Sequence, residues 1–117
     1  MTYKPGLHIL AEFTAIHTDL LENSLHFREF LDLKISAYGL HKVGETWYDF
    51  EGAGFTAVVC LTESHISIHT WPEYGLATFD IFLSNYEQVN DGQAQGLYHD
   101  VLGFYQATVV QEREIKR

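Results

Sequence analysis

Residues 61–75, LTESHISIHTWPEYG, crowd two histidines, two serines, two glutamates and a tryptophan between apolar segments. A hydroxyl next to a carboxylate, with imidazoles one and five positions further on, offers nucleophilic attack, proton transfer or metal binding. The H-x-x-x-H spacing of His65 and His69 suits a metal only on a helix, where both rings share a face. Here Ile66, Ile68 and Thr70 alternate with His65, Ser67, His69 and Trp71, and Pro72 follows at once. That is a strand pattern, and it sets residues four apart about 13 Å from each other. One zinc ion with ligands at about 2 Å does not bridge that gap, so no metal is expected.

The elements that position these residues follow from periodicity. GLHILAEF (6–13) reads as a first strand. Residues 20–40 carry Leu21, Leu25, Phe30, Leu33 and Ile35 at a spacing read as helical, which predicts a helix capped by Asn23 or Ser24 and ended by Gly39. KVGETWYDF (42–50) is aromatic and extended, EGAG (51–54) is a turn, and FTAVVCL (55–61) reads as a buried strand in which Cys60 is a small core residue. LATFDIFLS (76–84) alternates, with Ala77, Phe79, Ile81 and Leu83 opposed to Thr78, Asp80, Phe82 and Ser84. A second helix over 92–105 presents Leu97, Val101, Leu102 and Tyr105, and ATVVQERE (107–114) closes as a strand. The order β-α-β-β-β-β-α-β predicts an α+β fold. It is a two-layer sandwich, a mainly antiparallel sheet with two helices on one face and its other face open to a ligand or subunit.

Composition bounds the possibilities. With 117 residues, 46% of them hydrophobic, the chain is read as one domain over 1–117. A formal charge of −9 repels phosphate backbones and tolerates a cationic small molecule, so no nucleic-acid partner is expected. No apolar run approaches the roughly 20 residues of a membrane helix, and the N-terminus shows no signal-peptide pattern. The single cysteine makes no internal disulfide, which suits a cytoplasmic location.

The stretch ESHISIHTWPEYG (63–75) resembles the motif of the prokaryotic S-adenosylmethionine decarboxylase proenzymes. GLHILAEF, ATFDIF and VVQERE are similar to that family's first strand, the strand after the motif and the C-terminal strand, so the likeness covers nearly the whole chain. The resemblance implies self-cleavage between Glu63 and Ser64 into residues 1–63 and 64–117, with Ser64 becoming a pyruvoyl group as the only cofactor, without metal or pyridoxal phosphate. It implies His69 as the processing base and Thr56 as the processing hydroxyl. The ketone would hold S-adenosylmethionine as a Schiff base and release carbon dioxide, making an aminopropyl donor for spermidine synthesis. Phe50 matches an aromatic substrate position and Glu73 the glutamate that holds the ribose, while Glu12 sits on the first strand and either faces the site or is an ordinary edge carboxylate. Trp71 and Tyr74 are read as structural. The family works as a homo-oligomer, a dimer of processed units or larger.

One position departs from the pattern. Ser84 stands where the family has a proton-donating cysteine, and an alcohol is a far weaker acid than a thiol. Two other readings stay open for that reason: a pyruvoyl-dependent arginine or ornithine decarboxylase, and an unprocessed, non-catalytic paralogue.

Overall fold

The computed structural model describes residues 2–117. Its elements are β1 (Leu7–Ala15), α1 (Asp19–Glu22), α2 (Leu25–Ala37), β2 (Lys42–Phe50), β3 (Gly54–Leu61), β4 (Ser64–Trp71), a 3-10 turn (Pro72–Tyr74), β5 (Leu76–Leu83), α3 (Asp91–Tyr105) and β6 (Ala107–Lys116). The strands form one six-stranded sheet in the order β2-β3-β4-β5-β1-β6, and each neighbouring pair is antiparallel. The expected α+β sandwich is therefore the observed one.

Alternation decides which face the helices cover. Ile9, Phe13, Phe55, Val59, Ile66, Ile68, Ala77 and Ile81 are buried, as are Phe27, Leu31 and Ile35 of α2 and Leu97, Val101 and Tyr105 of α3. The opposite side chains of the central strands, including His65, Ser67 and His69, stay only partly covered. A sheet with one dry face and one wet face gives this pattern.

The single helix expected over 20–40 is two. The chain is extended at Asn23, and α2 restarts at Ser24, whose backbone N–H donates to Asp49 Oδ1 at 2.7 Å and whose hydroxyl donates to Oδ2 at 3.0 Å. An Asp on β2 thus supplies the N-terminal cap and a favourable charge against the helix dipole. The buried stripe is Phe27, Leu31 and Ile35 at strict four-residue steps, whereas Leu25 and Leu33, expected inside, are exposed. At the other end Gly39 takes a φ of 71°, its N–H donates to Ser36 and that of Leu40 to Ile35. These bonds satisfy carbonyls that the helix end would leave open, in the left-handed geometry glycine favours.

Thr70 ties the layers together. Its hydroxyl accepts from the Phe55 N–H at 2.8 Å and donates to the Leu21 carbonyl at 2.8 Å, all of it buried. Valine has the same shape without either bond. Thr70→Val is expected to lower unfolding stability by about 2–4 kcal/mol, since two buried backbone groups lose their partner. Chemical denaturation of the variant against the parent checks this.

Candidate active site

The β3–β4 hairpin is closed by two residues, Thr62 and Glu63, with Leu61 paired to Ser64. Tight two-residue hairpins usually place glycine or asparagine in the loop, where positive φ is needed. Here neither loop residue has positive φ; Ser64 takes it instead, at 142°. This region of the backbone map favours glycine, and a serine held there stores about 1–3 kcal/mol of strain. The Glu63–Ser64 peptide is fastened on its other side. The Glu63 carbonyl oxygen accepts the backbone N–H of Ser84 at 2.7 Å.

The Glu63 side chain is held as well. One carboxylate oxygen accepts the His41 backbone N–H at 3.1 Å and the other the His41 ring Nδ1 at 2.9 Å. Partial burial pushes the Glu63 carboxyl up, but the bonds from His41 outweigh it and hold the group below its usual range. The residue whose carbonyl sits at the strained bond is thus fixed at both ends.

A second group of residues forms at the other end of β4. Thr56 and His69 are direct cross-strand partners, and the Thr56 hydroxyl is hydrogen-bonded to His69 Nδ1. Both line a pocket of about 400 Å³ with Phe50, Trp71 and Glu73. Trp71 and Tyr74, read from sequence as structural, are exposed, and Trp71 borders this pocket. Glu12 lies two strands from His69, since both pair with Thr78. It lines an adjoining pocket that His69 shares, so its carboxylate faces the open side of the sheet. The structure thus gathers Thr56, His69, Phe50 and Glu73 in one place and Glu63, Ser64 and Ser84 in another. Five strand residues, about 16 Å, separate Ser64 from His69 within one chain.

Between the two groups lies a polar cluster that sequence reasoning missed. Asp80 accepts from His8 Nε2 at 2.7 Å and from His65 Nε2 at 2.8 Å, and the Ser67 hydroxyl donates to its other oxygen. Burial pushes the Asp80 carboxyl up, yet these three donors together hold it below the ordinary value. His8, His65 and Asp80 form a ligand set whose atoms lie within 4.8 Å of one another. However, the Arg117 guanidinium faces His8 Nδ1 at 3.4 Å. A guanidinium only donates, so His8 Nδ1 accepts and its proton sits on Nε2, where it is given to Asp80. The only signal in the sequence was three polar residues on alternating strands, and their meeting depends on the β1–β5–β4 register.

Cys60 corrects another expectation. It is exposed rather than buried, and it lines a shallow depression of the open face with Ser64, His65, Ser67 and His69. No helix among the described residues is long and apolar enough to cross a membrane.

Comparison with known proteins adds the family. A family model described as S-adenosylmethionine decarboxylase matches residues 7–117. An S-adenosylmethionine decarboxylase proenzyme of Aquifex aeolicus is 46% identical over 77 residues, which is 66% of this chain and 57% of the relative. One from Hydrogenobaculum is 43% identical over 77 residues, 66% of this chain and 58% of the relative, and one from Archaeoglobus fulgidus is 40% identical over 77 residues, 66% and 69%. The matched segment thus spans less than two thirds of the first two relatives. The crystal structure of the adenosylmethionine decarboxylase from Aquifex aeolicus superposes with a TM-score of 0.79 at 30% identity, covering 99% of this chain and 91% of that one. Since the family model runs from the start of β1 to the last residue, through the strained hairpin and the histidine strand, the chain belongs to the S-adenosylmethionine decarboxylase family.

Proposed function

We propose that this chain is a self-processing, pyruvoyl-dependent S-adenosylmethionine decarboxylase, cut between Glu63 and Ser64. The observation that carries the reading is the state of that peptide bond. Its serine is held at a φ of 142°, and its carbonyl oxygen already faces a backbone N–H at 2.7 Å.

Attack by Ser64 Oγ on the Glu63 carbonyl carbon makes a C–O bond and puts negative charge on the carbonyl oxygen. The Ser84 N–H is aimed at that oxygen, as an oxyanion donor must be. Collapse breaks the C–N bond and leaves an ester on Ser64. A base then takes the Ser64 α-proton and Glu63 departs as a carboxylate. Water replaces the amino nitrogen of the remaining dehydroalanine, ammonia leaves, and residue 64 carries the pyruvoyl ketone. The fit is good: cleavage removes the Ser64 amide nitrogen and with it the strained torsion. The Ser84 side chain has no part in this, so its departure from the family cysteine leaves the cut unaffected.

The ketone supplies an electron sink for loss of carbon dioxide from an α-amino acid. Around it, the rings of Phe50 and Trp71 offer faces to a purine and a sulfonium cation, and Glu73 accepts from ribose hydroxyls. The charge of −9 favours such a cationic substrate. The product would serve as an aminopropyl donor for polyamine synthesis.

A homodimer completes the site. The Thr56–His69 pair is too far along its own strand to reach its own Ser64. A two-fold axis through the open faces carries the pair of one copy to Ser64 of the other, and does so twice.

Intact mass of the purified chain, before and after hydroxylamine, tests the reading. The expected result is two fragments, 1–63 and 64–117, with hydroxylamine adding to the second only. A single 13.4 kDa species that persists on incubation overturns it. Carbon dioxide release from S-adenosylmethionine, arginine and ornithine side by side tests the substrate, and release from an amino acid other than the first refutes that part.

A further inference from the structure

Loss of carbon dioxide leaves an electron pair that must receive a proton, so the site needs an acid. The Ser84 hydroxyl is a poor one, because an aliphatic alcohol holds its proton far more tightly than a thiol does. The Ser84 backbone is committed at the hairpin. Its N–H goes to Glu63 and its carbonyl accepts from Asn90. It lines the pocket of His41, Thr62 and Glu63, not the depression that holds Ser64 and His69.

Cys60 supplies a thiol on the open face. It is the direct cross-strand partner of His65, one register step from the Leu61–Ser64 pair. It shares the open-face depression with Ser64, His65 and His69. The adjacent His65 ring is held by Asp80 at 2.8 Å, which gives the three residues a cysteine–histidine–aspartate order across three adjacent strands.

We propose that Cys60, across the strand pair from His65, is the acid that returns a proton to the substrate α-carbon after decarboxylation. This rests on the decarboxylase reading above. The bond to the departing carboxylate breaks and its electron pair stays on the substrate. The S–H bond breaks, a C–H bond forms with that pair, and the thiolate regains a proton from solvent. Nothing is oxidised or reduced overall by the cysteine.

Cys60→Ala and Cys60→Ser test this in the full chain, with three readouts. Self-cleavage, followed by intact mass, is expected to match the parent and shows that each variant folds. Carbon dioxide release from S-adenosylmethionine is expected to fall about 100-fold or more, the scale of a lost general acid. During turnover the 64–117 fragment is expected to shift to the mass of a chain beginning with alanine, because a misdirected proton ends on residue 64. Serine, close to cysteine in size, keeps the test sound if the alanine variant misfolds. Variants that cleave normally, decarboxylate within threefold of the parent and keep their fragment mass overturn the assignment. A parent chain that stays uncut, or is cut and inert toward S-adenosylmethionine, instead overturns the decarboxylase reading and this assignment with it.

Discussion

Ser64→Ala is expected to leave the chain as one 13.4 kDa species, with no fragment ending at Glu63, however long it is incubated. The expected loss is complete because residue 64 then has no hydroxyl to make the C–O bond and become the ketone. Mass spectrometry of freshly purified and aged protein reads it directly. Alanine keeps the strained backbone, since its Cβ meets the same obstacle at a φ of 142°. Ser64→Gly is also uncut, but glycine accepts that torsion, so it is expected to be more stable than Ser64→Ala by about 1 kcal/mol despite its entropic cost. Denaturant midpoints of the two uncut proteins measure the strain apart from the chemistry. Equal midpoints would show that the turn is relaxed and that the serine is not pressed toward attack.

His69→Ala is expected to slow self-cleavage by about 100- to 10,000-fold, as loss of a general base does. The more informative result comes from producing it together with Ser64→Ala in one cell. If the Thr56–His69 pair serves the Ser64 of another copy, a mixed dimer holds one intact site, formed by Ser64 of the His69→Ala chain and His69 of the Ser64→Ala chain. The His69→Ala chain is then cut and the Ser64→Ala chain is not. Distinct tags and intact mass tell them apart. The reason is distance: five residues of extended strand, about 16 Å, separate the two positions within one chain. Should neither chain be cut in the mixture, the pair acts within its own copy after a rearrangement of β4.

Several features could be read before any coordinates. The alternation of 65–71 and 76–84 placed the right side chains on the right faces, because a half-covered sheet writes a period of two into its strands. Gly39 marked a helix end because only a left-handed residue closes it cheaply. Other features were misread for identifiable reasons. In α2, Leu25 and Leu33 look like core residues at helical spacing, but the helix starts at a cap supplied by Asp49, and that orientation turns Phe27, Leu31 and Ile35 inward instead. FTAVVCL is apolar on both faces, so its sequence does not say which side is covered, and Cys60 was placed inside when it lies outside.

The sequence by itself determined the succession of strands, the motif around Glu63-Ser64 and the family expectation it carries, because each of these depends on neighbours in the chain. Tertiary structure alone decided that the positive φ falls on Ser64 and that the Ser84 N–H meets the Glu63 carbonyl. It also decided that His8, His65 and Ser67 converge on Asp80. These contacts join strands up to 72 residues apart. Their register is set by which faces the helices bury, a choice made by packing and not by local preference.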